Sequence, residues 1–140
     1  MKPYAIAFVF TAVVFLALDF VWLGFVAKDF YRTQIGPLML EKPLLGVAIA
    51  FYLLYTIGIV SFAVAPALAA DSWTRAMASG ALFGLIAYST YDLTNLATLR
   101  GWSVKLSVVD VAWGTIVTSI AATAGYFGAR SFSGIATRLS

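Results

Sequence analysis

Cysteine and histidine are both missing from this 140-residue sequence. The first absence excludes disulfides, thiolate metal sites and cysteine nucleophiles. The second removes the commonest metal ligand and the commonest general base. Haem held by imidazole is excluded too, and the methionines at positions 1, 39 and 77 are poorly placed to replace it. Charge is scarce: 11% of residues are Asp, Glu, Lys or Arg, where a soluble domain carries about a quarter. The net charge of +3, with no basic run and no basic patch interleaved with aromatics, gives nucleic acid nothing to hold. What the sequence has in abundance is apolar side chain, 62% of residues, with a mean hydropathy of +0.95. The class implied is an integral membrane protein, and the length allows a single small domain over residues 1–140.

Four stretches are long enough to cross roughly 30 Å of hydrocarbon, which takes about 20 helical residues. They cover residues 4–26, 44–64, 77–98 and 104–127, the second stopped by Pro66 and the third by "RGW". The first is too long for the apolar core of a signal peptide and contains Asp19, so it reads as a retained transmembrane helix. Backbone groups in lipid must bond internally, so the expected fold is all-α, a four-transmembrane-helix bundle with both termini on one side. The longest link, "KDFYRTQIGPLMLEKP", mixes charge with aromatic and aliphatic residues and suits a short amphipathic segment at the interface. The tail after Arg130 reads as frayed. Lys2, Arg75, Arg130 and Arg138 fall on one side and Lys28, Arg32, Lys42, Arg100 and Lys105 on the other, four against five, so charge bias does not orient the bundle.

Three of the six acidic residues, Asp19, Asp92 and Asp110, lie inside apolar spans. A charged side chain at mid-bilayer costs about 2.5–3.5 kcal/mol on insertion scales, so such residues turn towards protein. Asp19 and Asp92 come late in spans that run the same way and Asp110 early in the span that returns, which puts all three towards one leaflet. Gly80, Gly84, Tyr88, Asp92 and Asn95 step along one face of the third span, with Tyr91 at its edge. Gly80 and Gly84 form a small-xxx-small pair suited to close helix approach. Ser107, Asp110, Gly114, Thr118, Ala121 and Gly125 make a matching stripe on the fourth span. The first span aligns Ala12, Phe15, Asp19, Trp22 and Leu23, and the second offers Tyr52, Tyr55 and Thr56 at similar depth. Trp73 and Trp102 suit an interfacial belt, while Trp22 and Trp113 lie deeper and suit pocket walls.

The candidate ligand- or proton-binding set is therefore Asp19, Trp22, Tyr52, Tyr55, Tyr88, Tyr91, Asp92, Asn95, Asp110 and Trp113. A structural reading stands beside it, in which the same carboxylates bond indoles, phenols or helix ends. "DFVWLG" and "DVAWG" share Asp-x-x-Trp with a nearby glycine, a short match that either chance or an inverted repeat produces.

Taken together, "DFVWLG", the "FY…IGPL" of the first link, "FYLLYTIGI", "YDLTNLATLRGW" and "DVAWGT" resemble a bacterial family of small predicted membrane proteins of unknown function. The resemblance covers nearly the whole chain and carries onto Asp19, Trp22, Tyr91, Asp92, Thr94, Asn95, Thr98, Asp110, Trp113 and Gly114. It implies a four-helix protein of the bacterial cytoplasmic (inner) membrane, a lipid-related setting, and no assigned activity.

Three functions fit these residues. The first is a small permease that binds protons, a cation or a small solute in a carboxylate pocket. The second is a non-catalytic accessory protein that binds lipid or a partner. The third is a lipid-modifying membrane enzyme, for which no catalytic residue stands out. The expected partners are the lipid bilayer, a small solute, cation or lipid ligand and a second copy of the chain. No cofactor is expected. Oxygen ligands from Asp19, Asp92, Asp110 and Asn95 leave Mg²⁺ or Ca²⁺ open.

Overall fold

A computed structural model describes residues 2–132 of the chain. Helix α1 (Lys2–Val21) runs on into a π-helical turn at Trp22–Val26. Helix α2 (Lys28–Ile35) follows, then a 3₁₀ turn at Gly36–Leu38 and an irregular link to α3 (Leu45–Ile59). A second π-helical turn at Val60–Val64 joins α3 to α4 (Ala65–Ala69), and α5 (Trp73–Thr98) and α6 (Val104–Phe132) complete the fold. No strand occurs among the described residues. Among the described residues three helical stretches are long and apolar enough to cross a membrane: Lys2–Val26, Leu45–Ala69 and Val104–Phe132. Helix α5 has comparable length, at 26 residues, but mixes serine, threonine and charge into its apolar run.

Three helix ends differ from the sequence reading. Pro66 does not stop the second span, which continues to Ala69. A proline normally clashes with the carbonyl four residues back and removes a helical donor. Here it enters just after the wider π-helical turn and sits in the first turn of α4, where its missing N–H costs no helical bond. Helix α5 starts at Trp73 rather than 77 because the Ser72 hydroxyl caps it, accepting from the Arg75 N–H at 3.2 Å. Helix α6 extends to Phe132, past 127 and two residues into the tail read as frayed after Arg130; the rest of that tail, 133–140, lies outside the described residues. The turn between α5 and α6 places Gly101 at φ +78°, a left-handed conformation that suits glycine.

Helix α6 is the centre of the fold, with α5 along one side and α1 along another. The α5–α6 seam is antiparallel and proceeds in steps of four on both helices. Gly80 faces Ala122, Gly84 faces Thr118 and the Gly114 carbonyl, and the Tyr88 ring covers Gly114. The glycines remove the side chains that would otherwise hold the two backbones apart. Along α1, Thr11 meets Gly125, Phe10 covers Gly128, and the Phe10 ring stacks on Phe132 at 5.5 Å. Phe15, Tyr55, Ile59, Val64 and Val117 fill the space between α1, α3 and α6. Phe20, Leu54, Phe62, Val108 and other large apolar side chains point outward, the surface that a lipid-facing helix presents.

At the far end of the bundle the Asp71 carboxylate pairs with Arg130, whose guanidinium also donates to the Tyr126 hydroxyl at 2.9 Å. Asp71 sits at φ 52° in the turn before α5, a conformation aspartate tolerates better than most residues.

Candidate functional site

The π-helical turn after α1 keeps the helix axis going while shifting the rotation of the residues beyond it. Asp19 therefore faces the interior from the last regular turn, and Trp22 follows on the same side. The two tryptophans of the repeated Asp-x-x-Trp pattern meet face to face. The Trp22 and Trp113 rings stack with centroids 4.4 Å apart and planes 6° from parallel.

Each indole then reaches towards the aspartate of the opposite motif. The Trp113 Nε1–H donates to Asp19 Oδ1 at 3.3 Å. The Trp22 Nε1–H donates to the Tyr31 hydroxyl at 3.2 Å, and that hydroxyl donates to Asp110 Oδ1 at 2.5 Å. The other Asp19 oxygen accepts a hydrogen bond from the Tyr52 hydroxyl. Antiparallel α1 and α6 thus exchange partners across a stacked indole pair, directly in one direction and through Tyr31 in the other.

Between Asp19 and Asp110 lies a cavity of about 460 Å³. Tyr52 and Phe51 of α3 wall it on one side, and Tyr88 and Tyr91 of α5 on another. Trp113, Tyr31, Leu23 and Ala87 complete the lining, which holds no basic side chain. Burial and its bond to Asp110 raise the pKa of Tyr31, which lies in α2 outside the spanning helices. Its hydroxyl stays a donor through the pH range in which an exposed tyrosine ionises. The stability that this donor contributes is fully present below pH of about 10 and is lost only above it.

Asp92 is placed differently. It is completely buried, and neither of its carboxylate oxygens has a hydrogen-bond partner among the described residues. It continues the four-step register of the α5–α6 seam, one turn beyond the Tyr88–Gly114 contact, and its carboxyl interacts with that of Asp110. It stands behind Asp110 rather than on the cavity wall.

Of the ten residues singled out from the sequence, Asp19, Tyr52, Tyr88, Tyr91, Asp110 and Trp113 line the cavity. Trp22 stands behind Trp113. Tyr55 is turned into the core, where its hydroxyl shares a 2.8 Å hydrogen bond with Thr118. Asn95 is half-buried near the end of α5 and does not reach the cavity. The carboxylates do not converge as a metal site needs: among the described residues no three acidic side chains sit together. Asp19 is held on the α1–α3 side by Tyr52, and Asp110 on the α2–α6 side by Tyr31.

Sequence reasoning missed Tyr31 and Phe51. Phe51 directly precedes Tyr52 on an apolar helix with no polar signal of its own. Tyr31 lay in a link read as interfacial, and its one signal was the aromatic pair Phe30–Tyr31 within an otherwise charged stretch. Tyr31→Phe removes the acceptor of Trp22 and the donor to Asp110. It is expected to lower stability by about 1–3 kcal/mol, read as a lower unfolding midpoint in detergent, and to shift the indole fluorescence. An unchanged midpoint and spectrum would show that the relay contributes nothing.

No curated protein and no solved structure shows significant similarity to the chain. A family model described as "Predicted membrane protein (DUF2177)" matches residues 4–127, which spans all but the first two residues of α1, the aspartate–indole exchange and the whole cavity lining. The chain is an integral membrane protein with membrane-spanning helices, and it belongs to this family of unknown function.

Proposed function

We propose that the protein is a small permease. In this reading four helices cross the bacterial cytoplasmic membrane with both termini on one side. A proton, a cation or a small solute occupies the cavity between Asp19 and Asp110 on its way across. The observation that carries the reading is the cavity itself: two carboxylates face a space of about 460 Å³ inside helices otherwise built for lipid. Keeping such groups in an apolar setting costs stability, which packing alone does not require.

Two features support α5 as the fourth span. Its 26 residues reach roughly 39 Å at 1.5 Å per residue, and its small and polar face, Gly80, Gly84 and Asp92, is buried in the fold. The Phe10–Phe132 stack, which brings the start of α1 beside the end of α6, supports both termini on one side.

Reconstitution into vesicles with an entrapped pH dye tests this reading. A panel of cations and small neutral solutes is applied outside, and internal pH is followed. Asp110→Asn is expected to reduce the response at least tenfold. Asp29→Asn, at an exposed position of α2, is expected to leave it unchanged. Equal responses from all three proteins, or none with any solute, would count against a permease.

The accessory-protein reading has one observation in its favour. An apolar groove of about 500 Å³ runs along the outer α5–α6 face, lined by Leu85, Leu93, Leu96, Val104, Val108 and Ile116. It lies on a helix apolar enough to sit in lipid, so its natural occupant is an acyl chain.

A further inference from the structure

We infer that the occupant of the Asp19–Asp110 cavity is an organic ammonium ion, a protonated or alkylated amine. This rests on the solute-binding reading above and narrows its substrate class. Two independent features favour such an ion.

The first is charge. Both Asp19 oxygens accept hydrogen bonds, from Tyr52 and Trp113. Both donors are neutral. Among the described residues no lysine or arginine pairs with Asp19 or Asp110, and none lines the cavity. The nearest basic group along α6, Lys105, lies over the Phe30 ring at 5.9 Å. A negative site without a protein cation attracts one from outside.

The second is the wall. Six aromatic rings line the same space. Aromatic faces attract cations through their quadrupole, and sites built from several such rings are a recurring way of holding quaternary ammonium groups. An inorganic divalent ion demands several close oxygen ligands instead, and no acidic triad is available among the described residues. An anion would meet carboxylates on both sides.

The test uses the full chain in detergent, with indole fluorescence as the reporter, since Trp113 lines the cavity. The probes are choline and its uncharged carbon isostere, 3,3-dimethyl-1-butanol, with sodium chloride matching ionic strength. Choline is expected to give a saturable change at least tenfold tighter than the isostere. Asp19→Asn is expected to bring choline down to the level of the isostere. In case that substitution disturbs folding, a second pair is measured at Tyr91, a half-exposed cavity residue: Tyr91→Leu weakens choline severalfold, and Tyr91→Phe, which keeps the ring, does not.

Equal affinity for the two probes would overturn the ammonium assignment, as would a choline response undiminished in Asp19→Asn or reproduced by Mg²⁺. Failure of both probes beside an intact vesicle response would also overturn it, while leaving the permease standing. Choline binding with no vesicle response would do the reverse.

Discussion

Gly84→Val is expected to separate α5 from α6 and to lower stability by about 3 kcal/mol, the upper part of the range for overpacked cores. A single methyl group at position 84 already runs into the Gly114 carbonyl oxygen and lies 2.7 Å from the Thr118 side chain. The first obstacle is backbone, which cannot swing aside as a side-chain tip can. The clash also sits midway along the seam, between the Gly80–Ala122 and Tyr88–Gly114 contacts, so relief at one end strains the other. Helices in lipid gain little from hiding apolar surface from each other and depend on close van der Waals fit. Thermal unfolding in detergent, followed by circular dichroism, measures the loss. Gly46→Val, where nothing lies within 4 Å of the new carbon, is the control and should keep the wild-type midpoint. Similar midpoints for the two variants would show that the seam does not depend on glycine at 84.

Asp92→Leu is expected to move stability and function in opposite directions. Two buried carboxylate oxygens without a donor among the described residues are a standing cost. Leucine has nearly the same shape and removes that cost, so the unfolding free energy should rise by about 1–3 kcal/mol. Asp110 keeps its bond from Tyr31 in this variant. If Asp92 serves the cavity, the solute response in vesicles should fall at least tenfold, and Asp92→Asn should lower it as well. Asp29→Asn should change neither property. A structural role predicts a loss of stability in Asp92→Leu, and that result would remove Asp92 from the functional proposal.

The two predictions concern the same seam, and that seam is where the sequence was most readable. Spacings of three and four put Gly80, Gly84, Tyr88 and Asp92 on one side of α5, and Asp110, Gly114 and Thr118 on one side of α6. A helix repeats every 3.6 residues whatever surrounds it, so facing within one helix is a local property. The costs of glycine and aspartate in an apolar helix explain why these residues mark the interior. The same reasoning placed Asp19 and Trp22 together, and identified Tyr52.

Local periodicity does not extend across helices, and the remaining features depended on how the helices meet. Asn95 shares the α5 stripe yet falls short of the cavity, because the wall ends before the last turn of the helix. Tyr55, one turn beyond Tyr52, is captured by Thr118 and turned into the core. Tyr31 enters the site because α2 packs beside α6 after the π-helical turn, and no residue spacing in a short link signals that return. Pro66 fails to end its helix because a second π-helical turn makes room for it.

By itself, then, the sequence determined an apolar helical protein whose small and acidic residues face inward, because burial cost and helical period act residue by residue. Only the tertiary structure decided that the two Asp-x-x-Trp motifs exchange partners across stacked indoles, that Tyr31 links one half of that exchange, and that Asp92 stands behind the cavity rather than in it. Those outcomes depend on the relative height and rotation of neighbouring helices, which the packing of glycine against backbone fixes.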